Sequence, residues 1–377
     1  TERHEYTPAS KYVTDEYEAG DGWVFDSGKL ILTTNQGMVD FTANQMDDSF
    51  DYRYSHFPSE VDTIVIGKDV SYVSPVANYR FWYFSPTKIR IEPGNPYFVC
   101  DNGWIVQAKT KTLVCPENYP DFSKTTALNT LPDDTRIIGQ SAFDQFYLPY
   151  WYDGEKRAKI EQVTFPRDLV VIRQNAFSNC EQITRLDLPP RLASIENYAF
   201  YECSGLQEVQ FGPVRSLGMS AFYHCHALAA VNLEDTRITT LRGATFSECK
   251  ALPVVILPET LQTVETEAFE ACESLETAVF LSDHVAIQSK AFDNCIGLKY
   301  MIFAKGVPAS FGESVLGETA RTPDGRYYIS GYRETLSRPI PYPTLLYTAA
   351  FASEWAPNGE TEWNGYPIQQ ISQEELA

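Results

Sequence analysis

The sequence contains no run of about 20 apolar residues, the length a helix needs to cross a bilayer, so no membrane span is expected. Its opening stretch, TERHEYTPASKY, holds no apolar core segment and does not read as a signal peptide. Positive charge is scarce: 30 Lys and Arg stand against 50 Asp and Glu, a formal charge of −20. Such a field repels phosphate backbones, which argues against nucleic acid as a partner and against adhesion to anionic lipid by charge alone. Chemical signatures are missing too. There is no P-loop, no dinucleotide glycine fingerprint, no His-Glu-x-x-His and no Gly-x-Ser-x-Gly. No catalytic residue, cofactor or metal ligand is therefore nominated.

What the chain has in abundance is repetition. Phe-x-x-Cys occurs at Phe177/Cys180, Phe200/Cys203, Phe222/Cys225, Phe246/Cys249, Phe269/Cys272 and Phe292/Cys295. The steps between these phenylalanines are 23, 22, 24, 23 and 23 residues. Self-similarity at such a period is the signature of a solenoid, which grows along one axis, so the length of 377 residues does not translate into a domain count. A hydrophobic content of 44% is ample for a packed core.

Upstream of each phenylalanine lies an apolar-x-x-apolar-x-apolar phrase, for example Ile183/Leu186/Leu188, Leu206/Val209/Phe211 and Leu252/Val255/Leu257. Its last two positions flank one outward residue, the period-2 pattern of a half-buried strand. A proline often follows (Pro166, Pro189, Pro258), where loss of a backbone N–H ends the ladder cheaply. Two apolar residues three apart come next, such as Leu192/Ile195 and Leu261/Val264, and suit a second short strand or corner. The Ala-Phe-x-x-Cys turn closes the coil and leaves room for about one or two turns of helix or 3₁₀. A coil this small cannot bury both faces alone, so stacking is obligatory.

Six of the eight cysteines share one phase of the repeat. Stacked coils place equivalent residues about 5 Å apart with parallel Cβ vectors, whereas a disulfide needs converging Cβ atoms about 3.8 Å apart. These six read as buried free thiols that pack as small hydrophobes. Cys100 and Cys115 are out of phase, and a disulfide between them is left open. The array continues upstream less regularly, through Val61/Ile64/Ile66 with Val70/Val73, then Ile89/Ile91. Thr135–Phe143 matches the closing half of a unit with Phe146 in the cysteine slot.

The full phrase Leu-x-x-Ile-x-Leu-Pro-x-x-Leu-x-x-Ile-x-x-x-Ala-Phe-x-x-Cys resembles the BspA-type leucine-rich repeat of bacterial surface proteins. Ile91–Pro120 looks like the hairpin-bearing variant unit, Gly22–Phe41 is similar to the β-rich N-terminal cap, and Leu345–Ile371 resembles the closing strand, short helix and last strand. Departures from the pattern lie at Tyr79–Phe84, in the insertion after Phe146 and over Phe311–Pro339. The resemblance implies an extracellular or cell-surface binding scaffold without catalysis. It carries no shared set of ligand residues, so candidate sites rest on this sequence alone.

The expected architecture is a β-rich leucine-rich-repeat solenoid, right-handed, with a period of about 23 residues and roughly ten coils. A β-rich cap over 1–60 precedes the solenoid over 61–305, which carries a hairpin-bearing unit at 91–120 and an aromatic insertion at 146–159. A capping segment over 306–377 closes the chain.

Two surfaces are candidates for binding. The outward strand residues run from polar pairs (Gln162/Thr164, Arg185/Asp187, Glu208/Gln210) to apolar ones: Val254/Ile256, Thr277/Val279 and Tyr300/Ile302. A continuous apolar face is either covered by the C-terminal segment or reserved for a partner. The insertion places Tyr147, Tyr150, Trp151 and Tyr152 beside Pro149 and Asp153-Gly154 in a loop. Such aromatics serve sugar stacking and protein hot spots alike, or fold back on the coil edge. His224-Cys225-His226 is the only dense cluster of metal-type ligands; it reads as an exposed histidine pair around a buried thiol, with no second cluster to complement it. The acids Glu265, Glu267, Glu270 and Glu273 read as a solvated face. The function expected is recognition or adhesion by a monomer through a protein or glycan partner. The alternatives are a carbohydrate-active enzyme with an unrecognised site and a structural spacer.

Overall fold

A computed structural model describes residues 18–20, 23–26, 29–35, 62–73, 88–117, 127–129, 131–143, 160–312, 314–316, 319–321, 326–329 and 340–376. The chain forms two compact units, one among the described residues through Glu117 and the other from Ala127 onward.

The first unit opens as an antiparallel meander of Glu18–Gly20, Trp23–Asp26 and Lys29–Leu32. Thr63–Ile66 then pairs parallel with Lys29–Leu32, and Lys88–Ile91 pairs parallel with Thr63–Ile66, so the repeat begins here. Leu30, Leu32, Ile64, Ile66 and Ile89 stack inward with Val70, Phe98, Ile105 and Val114 as one apolar core. A three-stranded antiparallel hairpin follows, Phe98–Asp101, Trp104–Gln107 and Thr112–Pro116. Cys100 and Cys115 lie on its two outer strands, opposite Ile105 on the central one. Two strand spacings put them about 10 Å apart, beyond the roughly 7 Å that a disulfide spans, and both thiols are free.

In the second unit every regular coil contributes two short strands. The first-strand row runs through Arg185–Asp187, Glu208–Gln210 and Ala230–Val231, and then Val254–Leu257, Thr277–Phe280 and Tyr300–Phe303. The second-strand row runs from Ile137–Ile138 through Val171–Ile172, Ser194–Ile195, Ser216–Leu217, Thr240–Leu241, Thr263–Val264 and Ala286–Ile287 to Ser310–Phe311. Both rows are parallel throughout, as coils stacked in one direction require. Leu186, Val209, Val255, Ala278 and Met301, inward residues of the first row, are fully buried, whereas Val231 beside the interruption is only partly so. Helix is sparse among the described residues: a 3₁₀ turn at Leu233–Asp235, another at Ala349–Phe351, and four-residue helices at Ala352–Trp355 and Gln373–Leu376.

The Ala-Phe-x-x-Cys turns form a third ladder. The phenylalanine N–H of each coil donates to the next coil, as from Phe200 to the Ala221 carbonyl and from Phe246 to that of Ala268. The residue before each cysteine is left-handed: Asn179, Glu202, His224, Glu248, Ala271 and Asn294 have φ between 53° and 59°. A left-handed residue there stops the turn from extending as an α-helix. The rings of Phe143, Phe177, Phe200, Phe222, Phe246, Phe269 and Phe292 stack in one column, with neighbouring centroids 4.8–5.8 Å apart.

The thiols do more than fill space. Each in-phase cysteine donates to the phenylalanine carbonyl of the preceding coil: Cys203 to Phe177 at 3.2 Å, Cys272 to Phe246 at 3.2 Å, Cys295 to Phe269 at 3.0 Å. Cys180, Cys225 and Cys249 repeat the contact. Burial pushes the thiols of Cys225, Cys249 and Cys295 well above the usual thiol range, which suppresses the reactive thiolate. Native protein treated with a thiol reagent is therefore expected to label only at exposed Cys100, slowed by partial burial and by Glu117, and to label at all eight only after unfolding. Rapid native labelling of several in-phase cysteines would contradict the buried ladder.

The C-terminal segment extends the first-strand row. Thr344–Thr348 pairs parallel with Tyr300–Phe303, and Tyr366–Ile371 pairs parallel with Thr344–Thr348. Trp355, 1% exposed, fills the end of the core against Phe303, Tyr347 and Trp363.

Candidate functional site

The first-strand row carries the outward residues in two lines. Register aligns Val254, Thr277, Tyr300 and Thr344 in one, and Ile256, Val279, Ile302 and Leu346 in the other. Val254 and Tyr300 are each 43% exposed. Ile256, Val279 and Ile302 are partly exposed, and Leu346 is buried. The structure thus brings all five proposed apolar residues onto one face. The C-terminal strands join the edge of this row by backbone pairing and leave Val254 and Tyr300 open.

The opposite end of the row is polar. Arg185 pairs with Asp187 at 2.8 Å and with Glu208 on the next strand. Asn232 divides the two ends. It accepts from the Phe211 N–H at 2.6 Å and donates to the Phe211 carbonyl at 3.1 Å, standing in for the backbone of a strand that stops at Val231. The second proposed surface, Tyr147, Tyr150, Trp151 and Tyr152, lies outside the described residues.

Sequence reasoning missed a cluster on the turn ladder. Tyr201 and Tyr223 stack at 5.2 Å, and the Tyr223 ring lies 4.0 Å from that of His224. His224 and His226 both approach Glu248 of the following coil, with Nε2 at 2.7 Å and 3.4 Å from its carboxylate oxygens. His224 is partly buried, whereas His226 is exposed. The expectation of an uncomplemented exposed pair is therefore corrected: the left-handed residue of the next coil supplies a third group. Burial works to raise the Glu248 pKa, but the two imidazoles and Lys250 outweigh it and hold the carboxyl below its usual range. Glu270 moves the other way, raised by burial and by Glu267 and Asp293. The signal was present in the repeat alignment, because Glu202, His224 and Glu248 occupy one repeat position in three successive coils.

No helix among the described residues is long and apolar enough to cross a membrane. Comparison with functionally curated proteins finds no match. Among solved structures, a leucine-rich repeat protein from Eubacterium ventriosum is 21% identical, covering 63% of this chain and 54% of its own, at a TM-score of 0.42. The pneumococcal vaccine antigen PcpA is 15% identical over 65% of this chain and 51% of its own, at 0.41. A leucine-rich cell surface protein from Faecalibacterium prausnitzii is 16% identical over 68% of this chain and 72% of its own, at 0.36. The chain spans about half the length of the first two. The family model described as the BspA type leucine rich repeat region matches in six copies over residues 121–213, 152–240 and 170–299. With its parallel strand rows, phenylalanine column and buried thiol ladder, the array over residues 121–299 belongs to the BspA-type leucine-rich repeats.

Proposed function

We propose that this chain is a non-catalytic recognition scaffold of the bacterial surface that binds a protein or glycan through the apolar end of its first-strand row. The observation that carries the reading is the alignment of Val254, Ile256, Val279, Tyr300 and Ile302 on one face, with Val254 and Tyr300 each 43% exposed. Exposed and partly exposed aliphatic and aromatic side chains gathered on one face gain free energy when covered. Aromatic anchors such as Tyr300 dominate interface energetics. The charge of −20 favours a basic partner, with association that weakens as salt rises. Trp151 and its neighbouring tyrosines are the second surface proposed for binding.

The test is a glycan and host-protein array probed with the purified chain and with Tyr300→Ala and Ile302→Ser. Both variants should keep the wild-type melting temperature within a few degrees while their array signal falls at least about tenfold, as loss of a hot-spot anchor does. A signal unchanged in both variants would remove this face and transfer the test to Trp151→Ala.

A further inference from the structure

We propose that His224, His226 and Glu248 form a binding site for a divalent transition metal ion, Zn²⁺ being the fitting case. Imidazole nitrogens and a carboxylate oxygen are the donor set that zinc takes, at bond lengths of about 2.0–2.2 Å. Ligand atoms around a tetrahedral zinc at those lengths lie about 3.3 Å from one another. The separations of Glu248 oxygens from His224 Nε2, 2.7 Å, and from His226 Nε2, 3.4 Å, bracket that value. All three ligand atoms lie within 4.8 Å of one another.

The His224 nitrogen supplies a second, independent indication. It is buried, lies 2.7 Å from a Glu248 oxygen, and has no hydrogen bond of good geometry among the described residues. Buried polar atoms are almost always satisfied, and a metal ion held by both groups would satisfy this nitrogen where the carboxylate alone does not. The other ring nitrogen, Nδ1, lies 3.8 Å from Glu202, within ion-pair range but beyond a hydrogen bond.

The backbone fixes this arrangement in advance. The N–H groups of Glu202, His224 and Glu248 donate to the carbonyls of Tyr223, Ser247 and Glu270 in the next coil, at 2.8, 3.0 and 2.7 Å. Tyr223 lies flat against the His224 ring, with 15° between the planes. The other residues at this position, Asn179, Ala271 and Asn294, cannot supply the set, and two of the five histidines of the chain fall in this one turn. Three protein ligands leave a fourth position for water or for a donor from a partner, on the side where His226 is exposed.

The experiment titrates chelator-treated protein with Zn²⁺ alone by isothermal calorimetry, after exposed Cys100 has been alkylated so that no accessible thiol competes. Saturable uptake of one zinc per chain is expected. His226→Gln and Glu248→Gln should each weaken it at least about 100-fold. His226 is exposed, so its variant should melt as wild type does without metal, which separates ligand loss from misfolding. Substitution with Co²⁺ should give the visible absorption of a four-coordinate site in the wild type and none in His226→Gln. Absence of saturable uptake by the wild type, or uptake unchanged in both His226→Gln and Glu248→Gln, overturns the proposal.

Discussion

Phe246→Ala is expected to destabilise the protein by about 3–5 kcal/mol, the range for emptying a fully buried aromatic site. The ring is completely buried between Phe222, 5.3 Å away, and Phe269, 5.8 Å away. Its carbonyl also accepts the Cys272 thiol, so the cavity opens beside a hydrogen-bonded contact between coils. In a nearest-neighbour array the loss is shared by the flanking coils rather than by the whole chain equally. Hydrogen exchange should therefore show reduced protection at the turns of Phe222 and Phe269 as well as at Phe246. A change confined to one surface loop would disprove the stacking register.

The second large effect is expected at the C-terminal end of the core. Trp355→Ala should cost about 3–5 kcal/mol, because the indole is 1% exposed and packs on Phe303, Tyr347 and Trp363. Trp355→Phe should cost less than half as much. The indole Nε1 is buried with no hydrogen-bond partner among the described residues, and the phenylalanine variant removes that donor while keeping most of the apolar volume. Removing residues 340–377 altogether should expose the edge of Tyr300–Phe303, with Met301 and Phe303, and produce strong binding of an apolar dye. Equal costs for the alanine and phenylalanine variants in denaturant melts would show that the indole makes a polar contact that matters.

The repeat phase was legible in the sequence because burial recurs with it. Phe177, Phe200, Phe222, Phe246, Phe269 and Phe292 are fully buried, and so are Leu186, Val209 and Val255 one strand away. The outward lines of Val254 and Ile256 were legible for the same reason, since strand alternation fixes which side a residue faces. Two features were not legible, and a third shows only when the coils are aligned. Thiol donation to the phenylalanine carbonyls depends on the offset between coils, which composition does not encode. Asn232 reads as an ordinary outward residue, and only the interruption after Val231 shows that its amide replaces a strand. Glu248 lies 24 residues from His224, yet the left-handed turn of one coil stacks directly on that of the next. Proximity along the chain conceals such a neighbour, whereas aligning the coils by repeat position reveals it.

The left-handed residue before each cysteine has a consequence for how such a chain can diversify. Its backbone N–H is held by a hydrogen bond to a carbonyl of the adjoining coil, as at Glu202, His224 and Glu248, so the side chain contributes little to keeping the conformation. Asn, Glu, His, Glu, Ala and Asn succeed one another at this position with nearly the same φ. The fold thus exerts little selection on which residue stands there, and new chemistry can arise at the position by single substitutions without refolding the coil. Because the interval between coils is constant, gain or loss of one whole repeat would carry such a group to a new place along the array with its immediate surroundings preserved.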